Sequence, residues 1–150
     1  MSEDQAVSHD DRLKLVSEGE FAGWSMWQSD AFEQRAGPFY EKFDADGRGR
    51  CAFRAEPRHM NGGGFMHGGC LMTFADYALF CIAKDYLGGG KAVTVTMNSE
   101  FLRSANVGDF MEATGEVVKG GRALIFVRGV VTASGRSVLT FSATLMKVTA

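Results

Sequence analysis

Between Asn61 and Tyr86 (NGGGFMHGGCLMTFADYALFCIAKDY) two features have the residue types and spacing of chemistry. The first is a glycine-rich turn, Asn61-Gly62-Gly63-Gly64, running through Phe65-Met66 into His67-Gly68-Gly69. Glycine at a helix start costs roughly 0.5–1 kcal/mol in backbone entropy against alanine, so a run of it implies that something approaches the backbone closely. The first N–H groups of a helix lack intrahelical acceptors and can donate to an anion or a polarised carbonyl. The second feature is Asp76, a single carboxylate inside an apolar helix. Helical stepping sets it beside Met72, Leu79, Phe80 and Ala83, and the residues three and four away are Met72, Thr73, Leu79 and Phe80. No cation on the helix can pair with it, and it lies past the turn where the helix dipole helps. A carboxylate walled by apolar groups is expected to hold its proton more tightly than usual, and such groups cluster at active sites. An amide that polarises a carbonyl, next to a carboxylate that activates water or attacks directly, is the chemistry these parts suit.

Each residue has a plainer reading beside the functional one. His67 could cap the helix, and Asn61 could be an αL turn residue. Asp76 could be paired across the fold, for example with Arg103 or Arg128. Phe21, Trp24, Trp27 and Phe32 form an aromatic group best read as packing anchors for the N-terminal arm. His9 and His59 read as a surface histidine and a loop histidine.

The elements that position these groups follow from periodicity. A helix is predicted from about Gly68 to Tyr86, apolar enough to be wrapped by sheet over much of its circumference, and Leu87-Gly88-Gly89-Gly90 stops it. Upstream, Asp10 to Val16 suggests a short helix capped by Asp10 or Asp11, after a polar tail. Strands are expected at Phe39 to Phe43 and Arg50 to Glu56, around Asp44-Ala45-Asp46-Gly47. Four more are expected at Ala92 to Leu102, Phe110 to Lys119, Ala123 to Thr132 and Ser137 to Val148. Strand, strand, long helix and an antiparallel meander make an α+β fold with one buried helix on a curved sheet. Residues 1–36 read as an arm and 37–150 as the domain proper.

The 150 residues carry 16 Lys and Arg against 18 Asp and Glu, which leaves neither a nucleic-acid footprint nor a polybasic membrane patch. Cys51, Cys70 and Cys81 read as reduced thiols of a cytoplasmic protein. The N-terminus is unlike a signal peptide, and no apolar run reaches transmembrane length. Histidine and cysteine spacings offer no metal site, and Gly88-Gly89-Gly90 lacks the following Gly-Lys-Ser/Thr of a phosphate loop.

The His67-Gly68-Gly69 turn, Asp76 nine residues after His67, the strand Val93-Thr94-Val95-Thr96-Met97-Asn98 and the GD and GGR turns together resemble one family. It is that of the hotdog-fold acyl-CoA thioesterases of the phenylacetate-pathway type, within the 4-hydroxybenzoyl-CoA thioesterase superfamily. The resemblance covers roughly Phe53 to Val148. It implies a homodimer with a continuous two-fold sheet, commonly a tetramer as a dimer of dimers, and an active site at the subunit interface. Asn61 and His67 would then be polar site residues, and the Gly68 N–H would face the thioester carbonyl. Asp76 of the other subunit would be the catalytic carboxylate, and Thr94 would help hold the water. Phe65, Met66 and Gly69 would lie beside the acyl group. Arg103-Ser104-Ala105 and Lys119-Gly120-Gly121-Arg122 would lie along coenzyme A, which enters as part of the substrate; no separate cofactor is implied. A non-catalytic acyl-CoA binding protein on the same fold is the alternative. A hydratase fits less well, because Asn61 rather than Asp precedes His67 and the carboxylate lies on the helix.

Overall fold

The computed structural model describes residues 12–148. Four long strands, alternating in burial as half-buried strands do, form most of the sheet. They are β5 (Lys91–Phe101), β6 (Phe110–Gly120), β7 (Leu124–Ala133) and β8 (Arg136–Val148). The β7–β8 hairpin turns on Ser134 and Gly135, both at positive φ, as a tight two-residue hairpin requires. With β1 (Leu13–Leu15), β2 (Ser25–Trp27), β3 (Tyr40–Phe43) and β4 (Gly49–Arg54), the sheet has eight antiparallel strands in the order β1-β2-β3-β4-β6-β7-β8-β5. β5 therefore forms an open edge eleven residues long.

The sheet packs around α2 (Gly68–Ile82), whose Leu71, Phe74, Ala75, Ala78 and Leu79 are buried. Across from them lie Phe53, Met111, Ile125, Val127, Leu139 and Leu145, and these two layers are the core. The helix is shorter than its apolar run suggests. It breaks at Ala83 and resumes as α3 (Lys84–Leu87), which Gly88 closes in the left-handed conformation. The break lets Tyr86 lie flush on Gly120, where no Cβ would fit, and puts Lys84 Nζ 4.3 Å from the Phe43 ring centroid. No helix among the described residues is long and apolar enough to cross a membrane.

The arm corrects one expectation. The segment expected as a helix is β1 in its described part; Asp10 and Asp11, like the tail with His9, lie outside the described residues. Leu13-Lys14-Leu15 alternates with period two as well as it fits a helix, and pairing with β2 decides between them. From the hairpin, Phe21 stacks on Tyr40 at 4.1 Å and packs with Trp24 over Ala52, while Trp27 and Ala36 pack into the main core. Ala52 and its neighbours Cys51 and Phe53 are thus buried although they point to opposite faces of β4. Phe32, on α1 (Ala31–Ala36), is 66 % exposed and anchors nothing.

Candidate active site

The glycine-rich turn is held by Asn61. Its Oδ1 accepts from the N–H groups of Gly63 (2.9 Å) and Phe65 (3.2 Å), so the side chain organises the turn without itself being left-handed. The positive φ falls on Gly64, at 85°. Phe65 is half exposed, whereas Met66 is buried in the core and its N–H donates to Ala105 O at 2.8 Å.

His67 is the N-cap of α2: its Nδ1 accepts from Gly69 N–H at 2.8 Å. This requires the ring tautomer with the proton on Nε2. The His67 carbonyl accepts from the N–H groups of Cys70 (2.9 Å) and Leu71 (3.2 Å). Among the first N–H groups of the helix only that of Gly68 meets no acceptor in the described structure. The cap also explains Gly69, since a Cβ there would stand 2.9 Å from His67 Nδ1. At Gly68 a Cβ would come within 3.2 Å of the Phe101 ring on the edge strand.

Asp76 is half-buried, and its hydrogen-bond partner is Thr94, whose Oγ1 donates to Asp76 Oδ1 at 2.7 Å. The two arginines that could have neutralised it are engaged elsewhere. Arg128 Nε donates to Glu116 Oε1 at 2.7 Å and Arg103 Nη1 to Ser137 O at 3.1 Å. Thr94 reaches Asp76 through a β-bulge, where the pairing of β5 with β8 shifts register between Thr94 and Thr96. Ahead of the bulge Ala92 and Thr94 are the partly buried residues; beyond it Met97 and Ser99 are. A uniform alternation would have turned either the threonine or Met97 outward, and bulges re-aim side chains in this way.

Gly68 and Asp76 are eight residues apart on one helix, about 12 Å along its axis, too far to grip one carbonyl together. A cavity of about 950 Å³ touches neither. It lies among Arg50, Asn98, Glu116, Arg128 and Ser142.

The remaining predicted residues sit at two ends of the sheet. Arg103 and Ser104 are exposed after β5. At the other end, Lys119 and Arg122 flank the Gly120-Gly121 turn, beside Lys147, whose N–H donates to Ala123 O at 2.8 Å, and Lys91, which opens β5. Lys91, Lys119 and Arg122 are exposed and Lys147 is half-buried; the four form none of the ion pairs among the described residues.

His59 was hidden from sequence reasoning. It is 5 % exposed; its Nε2–H donates to Ala36 O at 2.7 Å and its Nδ1 accepts from Glu56 N–H at 3.0 Å. Burial pushes its pKa down, partly opposed by the bond to the Ala36 carbonyl. The one signal was Glu56-Pro57-Arg58-His59, the beginning of a capped helical turn with Pro inside it.

Residues 63–146 match the family model described as the thioesterase superfamily. The human protein named acyl-coenzyme A thioesterase 13 is 30 % identical over 106 residues, 68 % of this chain and 73 % of that one. Among solved structures, a point mutant of the phenylacetic acid degradation protein PaaI from Thermus thermophilus matches with a TM-score of 0.70. It is 25 % identical and covers 79 % of this chain and all of its own. A Streptococcus mutans protein bound to acetyl CoA matches with a TM-score of 0.63 at 25 % identity, over 71 % of this chain and 85 % of that one. A long helix wrapped by antiparallel sheet agrees with these matches: the chain belongs to the thioesterase superfamily and has its hotdog fold.

Proposed function

We propose that the protein is an acyl-CoA thioesterase whose active site is shared between two copies of the chain. The observation that carries this is the Gly68 N–H, left without an acceptor while its helix-start neighbours are bonded. The open β5 edge suggests how the second copy arrives. α2 runs along β5, with Gly68 beside Phe101 and Asp76 beside Thr94. If two β5 strands pair antiparallel about a two-fold between Met97 and Asn98, Thr94 of one faces Phe101 of the other. That register brings one chain's carboxylate to the other chain's amide.

In the reaction a water donates a proton to Asp76 Oδ2 while Thr94 Oγ1 accepts its other hydrogen. The water oxygen attacks the thioester carbon, and the partner's Gly68 N–H donates to the oxyanion. Collapse breaks the C–S bond, and the proton on Asp76 goes to the departing thiolate, leaving free acid and coenzyme A. Asn61 holds the turn and His67 the helix start, with Gly69 and Phe65 around the acyl group and Met66 packed in the core behind them. The cations at Lys91, Lys119, Arg122 and Lys147 suit the phosphates of coenzyme A, and Arg103 and Ser104 suit its other flank. Dimers would join as tetramers through the exposed apolar face of Val93, Val95, Leu124, Phe126 and Met146. The free thiols of Cys51, Cys70 and Cys81 suit the cytoplasm.

The test is complementation. Asp76→Ala and Gly68→Pro are each expected to be nearly inactive against a panel of acyl- and aryl-CoA esters. Unfolded and refolded together, they should recover about a quarter of native activity, since half the dimers are mixed and each mixed dimer has one intact site. No recovery, with mixed dimers demonstrably present, refutes the shared site. Tight acyl-CoA binding without turnover by the native protein refutes the enzyme.

A further inference from the structure

The turn that leads into α2 carries Gly62, Gly63 and Gly64, which give it little stiffness of its own. Its position is set at its foot. Residues 59–67 close as a short ladder: the His59 carbonyl accepts from His67 N–H at 2.9 Å, Met60 bridges Met66, and Asn61 N–H donates to Phe65 O at 2.6 Å. One leg of the ladder ends at His67, and the next residue is Gly68, whose N–H meets no acceptor. The other leg ends at buried His59. Its Nδ1 accepts from Glu56 N–H at 3.0 Å, so the ring proton is on Nε2, which donates to Ala36 O at 2.7 Å. The ring meets Phe53 edge-on with centroids 5.0 Å apart, and Phe53 meets Phe74 of α2 edge-on at 4.7 Å. Ala36 is the last residue of α1, in the arm. Arg58 donates to the carbonyls on either side of it, those of Arg35 and Gly37. Two consecutive residues thus clamp the end of α1 to the foot of the turn. The thioesterase match begins at residue 63, which leaves α1, Arg58 and His59 outside it.

We propose that His59 is a positioning residue for the Gly68 amide: its ring ties the foot of the glycine turn to the arm, and its carbonyl, through the His67 N–H, sets where the Gly68 N–H points. His59 neither donates to the thioester carbonyl nor takes a proton in the reaction. It acts because an oxyanion donor works only when it is already aimed, and a displacement of about 1 Å can cost about a hundredfold in rate. The kinetic consequence rests on the thioesterase reading; the tie between the arm and the helix start does not.

Two substitutions separate the bonds that the ring makes. In His59→Asn the amide oxygen stands in for Nδ1 and keeps the Glu56 N–H, while nothing reaches Ala36 O. In His59→Gln the amide nitrogen reaches Ala36 O, and the Glu56 N–H is left without its acceptor. Saturation curves of thiol release should show kcat lowered about tenfold or more in His59→Asn with KM within about twofold, and His59→Gln within about threefold of native. Equal losses in the two variants, or none in His59→Asn, overturn the proposal. In a Gly68→Pro background, where the donor is already gone, His59→Asn should cost nothing further; a full second loss overturns the proposal. Should His59→Asn not fold, Arg58→Met decides, since that side chain is exposed and holds the same end of α1. Its kcat should fall a few-fold at constant KM, and a native kcat overturns the proposal. Hydrogen exchange of the His67 amide needs no turnover: it should quicken in His59→Asn and Arg58→Met and stay near native in His59→Gln, and unchanged exchange in all three overturns the tie. A chain that hydrolyses no thioester defeats the functional reading alone, and the exchange series still decides the role of His59.

Discussion

The two halves of α2 that the proposed reaction would use are built in opposite ways. At its start the backbone does the work, and nearly every polar group is spoken for. Asn61 ties the turn, His67 takes the Gly69 N–H, and the His67 carbonyl takes two more. What remains is a single donor on rigid backbone. At its middle a side chain does the work, half-buried, with one hydroxyl from a bulged edge strand for company. Satisfying all groups but one makes a preorganised oxyanion donor that needs no reorganisation in the transition state. Leaving a carboxylate oxygen open makes a base. In the proposed dimer a second chain would lay one half against the other.

Asp76→Asn should break this contrast hardest. It keeps the Thr94 contact in shape but removes the base, and kcat should fall by about 10²–10⁴ with little change in folding. A variant that keeps native kcat in the thiol-release assay would remove Asp76 from the chemistry. Gly68→Pro comes next. His67 sits at φ −61°, ψ 132°, which the residue before a proline accepts, and proline is at home in the first helical position. The substitution deletes the N–H while adding the same crowding of Phe101 that alanine brings, and should cost about 10²–10³ in kcat. Gly68→Ala, which retains the donor and only crowds Phe101, should stay much closer to native. If both lose activity equally, the donor is not what matters.

Thr94→Val sharpens the other half. Losing one hydrogen bond to a charged group should lower kcat about tenfold with KM nearly constant, read from full saturation curves. His67→Ala has the smallest expected effect on the fold, about 1 kcal/mol from loss of the cap, measurable by urea denaturation. It also frees the Gly69 N–H, so its loss of activity should be smaller than that of Gly68→Pro.

Local pattern made most of this visible in the chain itself. The succession of strands along the chain, the buried helix and the oddity of Asp76 follow from alternation, glycine punctuation and a charge out of place, all of which short stretches of sequence carry. Four things did not follow. The last four strands are not one meander: β5 crosses to pair with β8, and β6 pairs with β4 instead. β1 was equally compatible with a helix, and pairing with β2 decided it. His59 was read as a loop residue, although two hydrogen bonds from distant and near backbone bury it. The aim of Thr94 depends on a bulge that alternation of apolar and polar residues does not disclose.

By itself the sequence determined which groups are available: a glycine helix start, an acid on an apolar helix and a threonine-bearing strand. Only the tertiary structure decided which of them remain unspent. That one amide keeps a free hydrogen and that Asp76 meets a hydroxyl rather than an arginine depend on caps, a bulge and strand register. Those are set by partners far away along the chain, and no local window of residues contains them.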